Sequence, residues 1–106
     1  MVMLFENEKS RQQLLTKGEV FTFRVKQHKE GKDWATDKRL GKKIADINVV
    51  SYGKVKLEDL DTPSILELSG FANMIGWTTA IIMFNKGIAP ESGYLYYVRD
   101  LGMVNY

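Results

Sequence analysis

Residues 20–26 constrain this chain more than any other stretch. Phe21, Phe23 and Val25 alternate with Thr22, Arg24 and Lys26. A period of two, built from aromatic and β-branched residues, is the pattern of a strand with one apolar and one polar face. The pattern predicts Phe21, Phe23 and Val25 inside, with a hydroxyl and two cations in a row on the solvent side. A chain of 106 residues with 44% hydrophobic content can supply the core behind that strand, and it suits one domain over 1–106.

Further elements follow from local signals. Ser10 to Leu15 reads as a short helix anchored by Leu14 and Leu15 and stopped by Gly18. Residues 27–42 show no period, carry Gly31, Gly41 and one Trp34 among many charges, and are expected to form a long loop. Lys43 to Tyr52 predicts a second strand with Ala45, Ile47 and Val49 inward; Gly53 marks a bulge, beyond which Lys54 to Leu57 continues. Thr62-Pro63 is a helix start, and that helix ends near Leu68. A further helix spans about 73–84, with Met74, Trp77, Ile81 and Phe84 in one apolar stripe. Tyr94 to Leu101 predicts the last strand, with Leu95, Tyr97 and Leu101 on one side. Strands and helices do not alternate, which argues for a few strands around a core with small helices beside them rather than a doubly wound sheet.

Composition removes several chemistries. There is no cysteine, so disulfide scaffolds, thiol catalysis and cysteine metal sites are out. A single histidine, His28, makes a metal site improbable on ligand count, and no cofactor is expected. No phosphate-binding Gly-x-x-x-x-Gly-Lys loop and no Gly-x-Ser-x-Gly elbow occurs. The longest apolar stretch, Ala80 to Phe84, is too short to span a bilayer, and no basic-then-apolar leader is visible. The expectation is a cytoplasmic protein without membrane contact, and a monomer.

A formal charge of +2 conceals a division. Residues 17–56 hold 11 Lys or Arg against 5 Asp or Glu, whereas residues 57–106 hold 2 against 6. One basic region suits an anionic partner, while the competing reading is a set of solvated loops.

The segment Leu15-Thr16-Lys17-Gly18-Glu19-Val20-Phe21-Thr22-Phe23-Arg24 resembles the signature of ASCH domains, where a short helix ends in a glycine turn and enters a strand bearing alternating Thr and Arg. Later segments agree in order: Gly41-Lys42-Lys43-Ile44-Ala45-Asp46, then Ser69-Gly70-Phe71 with Trp77, then Tyr94-Leu95-Tyr96-Tyr97-Val98-Arg99. The resemblance implies an α+β fold, a PUA-like small β-barrel of about five to six strands with two or three short helices packed on it. It also implies RNA binding in a groove beside strand 20–26. Some bacterial members are similar in size and act as amidohydrolases on acylated cytidine. For that chemistry the resemblance implies Thr22 together with a lysine whose position here holds Glu19, and Lys17 stands two residues away. The acid/base glutamate is then Glu67 or Glu58.

The binding reading assigns Arg24 to bidentate phosphate contact or base stacking, with Thr22 beside it. Lys17, Lys26, Lys29, Lys32, Lys38, Arg39, Lys42 and Lys43 supply positive potential, and Trp34 a stacking platform. The expected partner is RNA, single-stranded or structured, or a nucleotide. Two alternatives stand: a hydrolase or ribonuclease using Thr22, Glu19 and Lys17 in the same groove, and a protein-interaction adaptor. Against the site roles, Arg24 has Asp46 or Asp100 as possible cross-strand partners, and Trp34 has the barrel end to cover.

Overall fold

The computed structural model describes residues 2–38 and 41–102. Their core element is a five-stranded mixed sheet, curled into a half-barrel, with three helices beside it. The strands are β1 (Val2–Leu4), β2 (Glu19–Arg24), β3 (Gly31–Thr36), β4 (Lys43–Lys56) and β5 (Ser92–Asp100). The helices are α1 (Glu8–Lys17), α2 (Pro63–Glu67) and α3 (Met74–Phe84), with a 3₁₀ turn at Leu57–Leu60. Strand order is β1-β3-β4-β5-β2; β1 runs parallel to β3 and every other pair is antiparallel.

The long strand β4 organises the sheet. Its first half pairs with β3 and its second half with β5, and the register shifts between Ser51 and Lys54. Gly53 sits there at φ 87, a conformation that suits glycine. The anticipated bulge is therefore present, and Ala45, Ile47 and Val49 are buried as the alternation predicts.

Helix signals hold with adjusted bounds. Asn7 caps α1, its side chain accepting from the N–H groups of Lys9 and Ser10, so the helix begins before Ser10. Gly18 ends it at φ 80. Leu14 is the anchor; Leu15 is 39% exposed, against expectation, because the helix offers one narrow face. Asn73 caps α3, and Trp77 and Ile81 are buried, but Phe84 projects outward at 59% exposure. Leu101 lies past the end of β5 and is exposed.

Three expectations need correction. Residues 27–42 are not one loop, since they contain β3. Its inward positions are Gly31, Asp33 and Ala35, too small or too polar to print an apolar period. Trp34 thus stands on a strand, opposite Asp46, and is 38% exposed. The three-residue β1 is too short to show any period. Most consequential is β2, whose Thr22 is only 7% exposed rather than open to solvent, while Val25 is exposed rather than inside.

Thr22 is buried because β2 is covered on two sides. Phe21 and Phe23 pack with Leu60, Phe71, Trp77 and Leu95 in one cluster. Val20, on the opposite face, packs with Met3, Phe5, Leu14, Tyr96 and Val98 in a second. Thr22 and Arg24 share that second face. The strand ends at Arg24 and the chain bends away, which releases Val25 to the surface. Gly93 permits the tight crossing of β5 beneath this point; a Cβ there would lie 2.4 Å from Phe23 Cζ and 2.7 Å from the Arg24 carbonyl oxygen.

Candidate functional site

A cavity of about 850 Å³ opens where the curled sheet fails to close. Residues near both sheet edges line it: Leu4 of β1 on one side, Thr22, Phe23 and Arg24 of β2 on the other. The connection Phe5-Glu6-Asn7 and Ser10 of α1 form one wall, and Trp77, Ala80, Ile81 and Phe84 of α3 form the opposing one. Lys26 and His28 line it from the chain after β2, and Asn85 and Lys86 from the turn after α3. Lys86 sits at φ 59, a left-handed conformation uncommon for a side-chain-bearing residue.

Arg24 is the central charge of this cavity. Its guanidinium carbon lies 5.0 Å from the centre of the Phe5 ring, which packs against one face of the fork. Arg24 Nε donates to Thr22 Oγ1 at 3.1 Å. No salt bridge joins Arg24 to a carboxylate among the described residues, and no hydrogen bond there uses its two terminal nitrogens. Burial lowers its pKa from the ordinary arginine value to about 10, opposed by the neighbouring Tyr96 and Glu6. The group remains fully protonated at neutral pH, so a cation is held at the cavity wall with donors to spare. The suggested ion pairs with Asp46 or Asp100 do not form. Asp46 is taken instead by Lys43, at 3.0 Å.

Below the rim, His28 Nε2 and Asp33 Oδ2 are 2.8 Å apart and both side chains are largely buried. The His28 backbone N–H donates to the Tyr96 hydroxyl. These bonds tie the segment after β2 to β3 and β5. Among the described residues no three His, Asp or Glu side chains cluster as a metal site would require.

The sequence-predicted site residues are only partly brought together. Thr22, Arg24 and Lys26 line the main cavity. Lys29 lines a second hollow of about 360 Å³ beside His28, Glu30 and Ser51. Lys32 and Trp34 point outward from β3, and Lys38, Lys42 and Lys43 are exposed in and after the β3–β4 connection, away from the cavity lining. Arg39 lies outside the described residues. Lys17 is exposed at the carboxyl end of α1. Glu19 and Thr22 project from opposite faces of β2. Glu19 Oε1 accepts from the Tyr97 hydroxyl at 2.6 Å, and this bond raises the Tyr97 pKa. Of the two other glutamates, Glu58 lies at a third, shallow hollow with Lys56 and Met74, and Glu67 is exposed on α2.

Sequence reasoning passed over Phe84, Lys86, Asn7 and Glu6 as site residues. Phe84 reads as core from its spacing with Trp77 and Ile81. Only Lys86, an isolated cation in an acidic half of the chain, carried a legible signal.

No family model, curated protein or solved structure matches this chain. Among the described residues, no helix is long and apolar enough to cross a membrane. The geometry therefore has to carry the functional argument: a cation-bearing cavity with aromatic walls, open on one side, at the unclosed seam of a small half-barrel.

Proposed function

We propose that this protein binds RNA, with the cavity beside β2 as its contact site. One observation carries the reading: Arg24 is held charged against a cavity wall with no carboxylate paired to it. Such a group favours an anion, because phosphate contact recovers the hydrogen bonds and charge pairing that burial withdraws. Lys26 and Lys86 flank the same space, and the exposed ring of Phe84 offers a face for an unstacked base. The resemblance of residues 15–24 to the ASCH signature supports the same reading.

Binding is preferred to hydrolysis because Glu19 is engaged with Tyr97 on the face of β2 opposite Thr22. The adaptor reading has one observation in its favour, the outward apolar residues Ile75, Met83 and Ile88 on and after α3.

Filter binding with single-stranded RNA tests the proposal. Neutralisation of about three phosphates by Arg24, Lys26 and Lys86 sets a slope of log K on log salt of about −2. Arg24→Ala lowers affinity by about tenfold or more, the effect of losing a bidentate charge contact. A protein that retains no RNA at about 50 mM salt refutes the reading.

A further inference from the structure

The cavity beside Arg24 also runs along a free edge of the sheet. In an antiparallel ladder, alternate residues direct both N–H and C=O at the neighbouring strand, and those between them direct theirs away. The phase of β2 is fixed at its start, where the Asp100 N–H donates to the Gly18 carbonyl at 2.9 Å. With Val20 opposite Val98, Thr22 opposite Tyr96 and Arg24 opposite Tyr94, these residues bond to β5. Phe21 and Phe23 therefore turn their peptide groups outward. Phe21 shows this directly, its N–H donating to the Leu68 carbonyl at 2.8 Å. No corresponding main-chain partner from another element reaches Phe23 among the described residues.

Phe23 lines the cavity with Thr22 and Arg24 from one face of the sheet and Trp77 and Ile81 from the other. The cavity thus lies along the strand edge toward which the N–H and C=O of Phe23 turn. A ligand that matches this main-chain pair replaces its bonds to solvent with two direct ones.

We infer that the main-chain N–H and C=O of Phe23 read the edge of a single unstacked nucleobase, an inference that rests on the RNA-binding reading above. The N–H and C=O of one extended residue point the same way and form a donor beside an acceptor. Every nucleobase carries the complementary pair on its Watson–Crick edge: N3 and the N4 amine in cytosine, N1 and the N6 amine in adenine, O4 and N3–H in uracil, O6 and N1–H in guanine. Arg24 beside Phe23 then meets phosphate, and Phe84 on the facing wall meets the base plane. A volume of about 850 Å³ accommodates one nucleotide. An added peptide strand fits less well. Phe21 is already paired to Leu68 and the chain bends after Arg24, so the free edge offers one outward residue of β2, where strand addition draws on a row of them.

The test is titration of the full chain, followed by NMR, with ribose 5-phosphate, the four ribonucleoside 5′-monophosphates, and the same nucleotides methylated at the Watson–Crick ring nitrogen. At least one unmodified nucleotide binds about tenfold or more tightly than ribose 5-phosphate, and its methylated form falls back to the ribose 5-phosphate level. Hydrogen exchange at the Phe23 amide is fast in the free protein and slows by about tenfold or more in the complex. Equal binding of methylated and unmodified nucleotides overturns the inference. If ribose 5-phosphate and all nucleotides bind alike and Arg24→Gln weakens them together, the base-edge inference falls while the RNA-binding reading stands. Failure of every one of these probes to bind also overturns the inference, and filter binding decides the underlying reading separately. A tri-alanine peptide that protects the Phe23 amide where nucleotides do not assigns the edge to protein and overturns it as well.

Discussion

Arg24→Met makes the protein more stable while lowering its affinity for RNA by about tenfold or more. The variant keeps an unbranched stem on the Phe5 ring and deletes the charge. A fall in pKa from the ordinary arginine value to about 10 means that the folded surroundings disfavour the charged form by about 3 kcal/mol relative to water. Against this, the variant loses a charge-assisted hydrogen bond to Thr22, about 1.5 kcal/mol, and a cation–π contact of about 0.5 kcal/mol. The balance is about 1 kcal/mol in favour of the variant, a rise in Tm of about 4 °C for a chain of this size. Urea and thermal denaturation read it directly. The pH dependence supplies a second check. Because the folded pKa lies below the unfolded one, the unfolded wild-type chain binds more protons above about pH 10. Wild-type stability relative to the variant therefore recovers as pH rises through about 10, and is constant below it. A variant about 1 kcal/mol less stable than wild type at pH 7, or a gap that ignores pH, refutes the claim that the desolvation of Arg24 outweighs its contacts with Thr22 and Phe5.

Two further perturbations probe the frame around the cavity. Gly93→Ala forces a Cβ against Phe23 and the Arg24 carbonyl; it lowers stability by about 1–3 kcal/mol, read as a shifted urea midpoint, and weakens RNA binding by displacing β2. Tyr97→Phe removes the hydroxyl that donates to Glu19 and lowers stability by about 1 kcal/mol at pH 7, with RNA affinity in filter binding unchanged. Since the folded Tyr97 pKa is raised, that contribution is full below the ordinary tyrosine value near 10.0 and is lost as pH climbs through the folded one, so the two proteins converge in alkali.

Elements whose signals are local were legible in the sequence. Gly18 after a run of helix formers, Thr62-Pro63, the inward Ala45-Ile47-Val49 set and the bulge glycine Gly53 each state a backbone requirement within a few residues. β3 was illegible because Asp33, bonded to His28, stands where an apolar residue would reveal the period. Phe84 misled in the opposite sense. Its spacing belongs to the buried stripe of α3, yet the helix ends at that residue and its side chain is exposed.

What the sequence determined by itself about β2 was an alternation and a chemistry: aromatic rings on one side, a hydroxyl and guanidinium on the other. Tertiary structure decided what that alternation means. Periodicity records which side chains share a face, and says nothing of what covers the face. Here α3 and the Phe71 segment cover one side, while Phe5 and Tyr96 pack on the other, so the polar row became the wall of a cavity instead of a solvated surface. The free edge at Phe23 is likewise a tertiary fact, since β2 is the last strand of the sheet and Leu68 bonds to Phe21 but not to Phe23.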